Sequence, residues 1–168
     1  MRRLFLLAVL AAAPLIPLNT AHGGELKSFV RGSWRSILAA HSGSAFIVHF
    51  WGLTCGPCRA ELPAWGKLLA EKPDLPLVTV TADIVQATPR AVEDFLAKSG
   101  LQNAENWIFD DNFVERLRYE IDPHWQGEIP ITLLIGRNGS IGKIEGSAKM
   151  SEIFAWLKDQ QKVIKQAP

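Results

Sequence analysis

From Ala45 to Phe50 the chain is apolar at every position except His49, and Ser42-Gly43-Ser44 bounds the run upstream. A run this short and this apolar predicts a strand buried on both faces. The pattern then changes period: from about Cys55 to Ala70 the apolar residues Leu62, Trp65, Leu68 and Leu69 recur at helical spacing, with Pro63 placed to kink the helix. Leu77 to Ala82, rich in β-branched residues, predicts a second strand. Thr88-Pro89 predicts a helix start, with Thr88 as N-cap, Val92, Phe95 and Leu96 as the inward stripe, and Gly100 as terminator. Trp107-Ile108-Phe109 predicts a short strand, and Asp110 or Asp111 caps a further helix whose inward face is Phe113, Val114 and Leu117. Ile131 to Ile135 and Ile141 to Ile144 flank Arg137-Asn138-Gly139-Ser140, where Asn-Gly signals a β-hairpin. Met150, Ile153, Phe154 and Leu157 mark a closing amphipathic helix.

Strand, helix, strand, helix, strand, helix, hairpin, helix is the order of an α/β sheet flanked by helices. The stretch 24–43 shows no clear period and is expected to be an irregular N-terminal arm, with the sheet domain over 44–168. No internal repeat, low-complexity tract or second domain is evident.

The chain's start has another character. Met1-Arg2-Arg3 is a short positive region, and the apolar run Leu4 to Leu18 after it contains Pro14 and Pro17. At ~1.5 Å per helical residue that run reaches roughly 22 Å, short of a hydrocarbon core of about 30 Å. Ala21-His22-Gly23 supplies small residues for cleavage, so residues 1–23 are expected to be a secretory signal peptide, with a retained membrane anchor as the alternative. Its removal takes two arginines and no acid, moving the formal net charge from +1 to −1. Such a near-neutral chain has no basic patch for nucleic acid.

Cys55 and Cys58 are the chain's two cysteines, too few for a framework of structural disulfides. Two thiols at a strand-to-helix junction, separated by Gly56-Pro57, can close a small disulfide ring and reopen it. Unpaired N–H groups and the macrodipole at a helix start stabilise a thiolate, which favours Cys55 as nucleophile and Cys58, one turn in, as resolving thiol. Pro57 suits the first helical turn, where its missing N–H costs little. The alternatives are cysteines that only pack, or half of a zinc site; the scattered His22, His41, His49 and His124 do not form the His pair such a site needs. Glu61 lies one helical turn beyond Cys58, either positioned to take a proton from it or solvated beside Lys67 or Arg59.

Phe-Trp-x-x-x-Cys-Gly-Pro-Cys, with Pro63 five residues after the second cysteine, resembles the thioredoxin superfamily. The extension Cys58-Arg59-Ala60-Glu61-Leu62-Pro63 is similar to that of the TlpA/ResA/CcmG group of exported thioredoxin-like proteins, and the helix and strand between Thr88 and Phe109 resemble that group's central insertion. The resemblance covers roughly Ser44 to the C-terminus. It implies a thioredoxin-like mixed sheet flanked by helices, a redox-active Cys55–Cys58 disulfide with no cofactor or metal, and a glutamate at 61 that tunes the dithiol. It also implies a cis bond at Ile129-Pro130, in a loop that, with Trp51, borders the nucleophile and takes the substrate backbone. A trans proline opening a strand is the alternative there, and Glu128 faces either a partner or solvent.

The implied protein is a periplasmic monomer that reduces disulfides of exported clients, in cytochrome c maturation or copper-site assembly, and is recharged by a membrane donor of the DsbD or CcdA type. Gly56-Pro57 is the spacer of thioredoxin, which favours a reductant; an oxidising exchanger and a copper-binding protein on the same fold are the alternatives. A peroxiredoxin would need Thr-x-x-Cys, whereas Thr54 abuts Cys55. Two positions depart from the family. His49 stands where thioredoxin has a buried aspartate and the exported group often asparagine, as a proton shuttle or as a hydrogen-bonded core residue. Thr54 replaces the usual tryptophan before the nucleophile, and Trp125 either replaces that lost aromatic surface or packs inside.

Overall fold

In the computed structural model, which describes residues 24–85 and 87–166, with side chains to residue 160, the chain runs β1 (Lys27–Phe29), α1 (Ser33–Ala40), β2 (Phe46–Trp51), α2 (Gly56–Glu71), β3 (Leu77–Thr81), α3 (Pro89–Lys98), β4 (Glu105–Phe109), α4 (Val114–Ile121), β5 (Ile131–Ile135), β6 (Ile141–Glu145) and α5 (Met150–Gln166). The strands form one six-stranded sheet in the order β1-β4-β3-β2-β5-β6. β1, β4, β3 and β2 are parallel, while β5 is antiparallel to β2 and to β6. The residues expected for a signal peptide, 1–23, lie outside the described residues.

β2 is central because all six of its residues are buried, as the apolar run requires. Its side chains alternate between two cores. Ile47 and Trp51 join residues of α2, α3 and α5, including Cys58, Leu62, Trp65, Val92, Leu96 and Ile153. Phe46, Val48 and Phe50 join Trp34 and Ile37 of α1 and Val114 and Leu117 of α4. The parallel pairing of β2 with β3 carries both strands to one edge, so the loop after β2 and the loop after β3 emerge side by side.

Several local signals act as their chemistry requires. Thr88 caps α3, its Oγ1 accepting from Ala91 N at 3.4 Å, and Gly100 ends it at φ +75°. Asn138-Gly139 turns between β5 and β6, with Gly139 at φ +79°. α2 runs continuously through Pro63.

Other expectations fail. The stretch 24–43 is not irregular: it contains β1 and α1, with Lys27, Ser28 and Phe29 in register with Trp107, Ile108 and Phe109 of β4. It therefore belongs to the same sheet and supplies one wall of the second core. Neither aspartate caps α4. Asp111 instead accepts from Phe113 N at 2.8 Å in a turn before the helix, and Asp110 accepts from Ser28 Oγ at 2.7 Å. Phe113, assigned inward, occupies the N-cap position and is 56% exposed under Arg116, while Val114 and Leu117 are buried.

Candidate active site

Strand β2 ends at Trp51, and four residues later α2 begins with Cys55 as its N-cap. Cys55 and Cys58 are joined by a disulfide with Cα atoms 5.3 Å apart. Cys55 is half-buried, whereas Cys58 is fully buried among Trp51, Leu62 and Trp65. Cys55 Sγ accepts from Cys58 N at 3.2 Å, the bond an N-capping group makes three residues on. A thiolate formed at that sulfur meets the same N–H and the positive end of the helix dipole.

The Ile129–Pro130 peptide bond is cis. Cys55 Sγ lies 3.5 Å from the Ile129 carbonyl oxygen, and Gly146 N donates to the Pro130 carbonyl at 2.9 Å, tying the proline loop to the residue after β6. Glu128 is exposed. Trp51, grouped with this loop from the sequence, is fully buried and stacks on Phe95 with ring centroids 5.7 Å apart; it supports the site from beneath and presents no surface to a partner. Trp125 does not replace a lost surface aromatic either. It is 6% exposed, packs on Phe50 at 5.0 Å, and donates its indole N–H to the Glu128 carbonyl at 2.8 Å.

Glu61 is buried, not solvated. Its Oε1 accepts from Trp65 Nε1 at 2.8 Å and from Ala148 N at 3.0 Å, and Lys67 pairs with Glu71 instead. Burial pushes the carboxyl above its usual range, partly offset by the bonds from Trp65, Ala148 and Ser147. A carboxyl poised upward, one turn from a buried thiol, can hold or release a proton closer to neutrality than a surface glutamate can.

His49 lies on the same face of β2, its ring 5.1 Å from that of Trp65, and its Nδ1 shares a hydrogen bond with Thr132 Oγ1 at 3.0 Å. It is fully buried, Nε2 has no partner among the described residues, and burial lowers the imidazole to about 3, so it stays neutral at physiological pH. That favours the core role over the proton shuttle.

A residue with no motif to mark it also borders the cysteine loop. Asp83, two residues past β3 and 4% exposed, accepts at Oδ2 from Leu53 N at 2.7 Å and at Oδ1 from Thr54 N at 3.1 Å and Thr54 Oγ1 at 2.6 Å. The lone signal for it is positional: an acid at the end of the strand paired with β2.

No protein-family model matches the chain. It is 27% identical over 109 residues to the thiol-disulfide oxidoreductase ResA of Geobacillus thermodenitrificans, an alignment covering 64% of this chain and 57% of that protein, so the chain spans little more than half the length of this curated relative. Among solved structures, StoA from Bacillus subtilis superposes with a TM-score of 0.53 at 25% identity, over 69% of this chain and 84% of that one. A secreted Mycobacterium tuberculosis disulfide oxidoreductase homologous to Escherichia coli DsbE gives a TM-score of 0.57 at 20% identity, over 72% of this chain and 85% of its own. With a mixed sheet, a Cys-Gly-Pro-Cys helix start and a cis-proline beside it, the chain has a thioredoxin-like fold and is similar to thiol-disulfide oxidoreductases of the ResA and StoA kind.

Proposed function

We propose that this protein is a thiol-disulfide oxidoreductase that reduces disulfides of exported client proteins through Cys55 and Cys58. The observation that carries the reading is the asymmetry of the pair: Cys55 half-exposed at a helix N-cap beside the Ile129 carbonyl, Cys58 fully buried behind it. Cys55 thiolate attacks one sulfur of a client disulfide, and the second client sulfur leaves with the electron pair as a thiolate. Cys58, its proton passed to Glu61 or water, then attacks Cys55 Sγ; the mixed disulfide breaks and the first client sulfur leaves. Two electrons have moved to the client, whose thiolates take up protons, and Cys55–Cys58 is a disulfide again. The redox centre is that disulfide itself, with no added cofactor.

An extended client strand would lie along Ile129 and Pro130. The reductant direction is supported by the Gly56-Pro57 spacer, and the exported compartment by residues 1–23; no helix among the described residues is long and apolar enough to cross a membrane. Recharging in an oxidising compartment calls for a membrane donor of the DsbD or CcdA type. The test is reduction of insulin by the dithiol form together with covalent capture of clients by Cys58→Ser in the native host. Expected are catalysed insulin precipitation and client adducts released by dithiothreitol. Loss of both would overturn the reading.

A further inference from the structure

The pairing that places β2 beside β3 continues past both strands, with Ala82 N donating to the Trp51 carbonyl at 2.8 Å, and this brings Asp83 against the loop that leads into Cys55. Both carboxylate oxygens are engaged there. Its three donors among the described residues are Leu53 N, Thr54 N and the Thr54 hydroxyl, all neutral, so the hydrogen bonds are satisfied without a cation among those donors to offset the carboxylate. The fit is tight. A Cβ on Gly52 would fall on the Asp83 carboxylate and 2.8 Å from Ile129 Cδ1, so the acid fills the gap between the cysteine loop and the cis-proline loop.

Two consequences follow for Cys55. The N–H groups of Leu53 and Thr54, and the Thr54 hydroxyl, serve Asp83 and are withheld from the sulfur, which keeps the Cys58 N–H at 3.2 Å. A carboxylate bonded to the residue adjoining the nucleophile also opposes a second negative charge there. Both effects disfavour the thiolate and, with it, the reduced form of the couple.

Resting on the exchange reading above, we infer that Asp83, held by Thr54, is a positioning residue that limits stabilisation of the Cys55 thiolate and keeps the Cys55–Cys58 couple on the reducing side. Among the other charged or titratable groups on the elements packed around the dithiol are Arg59, whose guanidinium lies 5.5 Å over the Phe95 ring, Glu61, His49 and Glu128. None of them bonds to the loop between Gly52 and Cys55 among the described residues.

The experiment compares wild type, Asp83→Asn and Thr54→Val by equilibration in glutathione buffers and by the pH dependence of Cys55 alkylation. Asp83→Asn removes the charge and is expected to shift the equilibrium about tenfold towards the dithiol, about 30 mV more positive, with the alkylation midpoint at lower pH. Thr54→Val keeps the charge and removes a donor that disperses it, so both readings are expected to move in the opposite direction. A loop merely loosened by either change would move both variants the same way, and that result overturns the inference, as does an Asp83→Asn protein identical to wild type. Should Asp83→Asn fail to fold, Thr54→Val decides alone: a potential unchanged or raised overturns it. A wild type that does not exchange with glutathione at all fails the exchange reading itself, and this inference falls with it.

Discussion

Trp65 donates its indole N–H to Glu61 at 2.8 Å across one turn of α2, so the acid that follows Cys58 is gripped from inside the protein. Burial raises the carboxyl of Glu61, and the folded state therefore keeps that proton to higher pH than the unfolded chain does. From about pH 4.3 upward, where an unfolded glutamate ionises, the unfolded state binds fewer protons at this position and its share of stability falls as pH rises. Glu61→Gln lacks that dependence. The melting temperature of the variant relative to wild type is expected to rise between pH 4 and pH 7.5; an unchanged difference would refute it. The same substitution should slow release of client from the mixed disulfide more than its formation, read by stopped-flow exchange with a model disulfide.

His49 has the opposite sign. Its imidazole is lowered to about 3 by burial, so between that value and the ordinary range near 6.5 the unfolded chain binds the extra proton and stability declines as pH falls. One proton taken up on unfolding gives a slope of about 1.4 kcal/mol per pH unit. Denaturant unfolding of wild type and His49→Asn at pH 7 and pH 5 should show the variant losing less over that interval. Because Glu61 acts the other way in part of the same range, the quantity that decides is the difference between the two proteins.

The sequence made the β2–α2 junction and the hairpin legible because each is written in residue types: a short apolar run, Cys-Gly-Pro-Cys, an Asn-Gly pair; the cis bond at Ile129-Pro130 came only from the family resemblance. β1 was hidden because two of its three residues, Lys27 and Ser28, are exposed, leaving Phe29 alone to mark it. It is a strand through its pairing with β4, a contact across some eighty residues that no local period records. Asp83 was hidden for a related reason. Two of its three donors are backbone N–H groups, which every non-proline residue has, so the bond leaves no trace in residue identity. Trp51, grouped with the substrate loop, and Trp125, left open between surface and packing, are both placed in the cores by burial, which proximity to a motif does not record.

Gly66 of α2 passes close to the end of α3, and a Cβ there would fall on the Ser99 carbonyl oxygen, a backbone atom that cannot rotate away. Gly66→Ala is therefore expected to destabilise the protein by about 1–3 kcal/mol. Gly56→Ala, whose Cβ meets nothing within 4 Å among the described residues, should change stability by less than about 0.5 kcal/mol. Thermal unfolding of the oxidised proteins checks both, and equal losses would show that the α2–α3 approach is looser than the backbone positions require.

In the reduced protein the two sulfurs should differ sharply in reactivity. Cys55 sits at the helix N-terminus with partial access to solvent, where N–H groups favour its thiolate, while Cys58 is fully enclosed and its alkylation requires the surrounding core to open. Iodoacetamide added in short pulses, followed by mapping of the modified peptides, is expected to label Cys55 at least about tenfold faster than Cys58 at pH 7. Denaturant should erase most of that ratio by exposing both thiols. Comparable rates in the folded state would remove the asymmetry that assigns attack to one cysteine and resolution to the other.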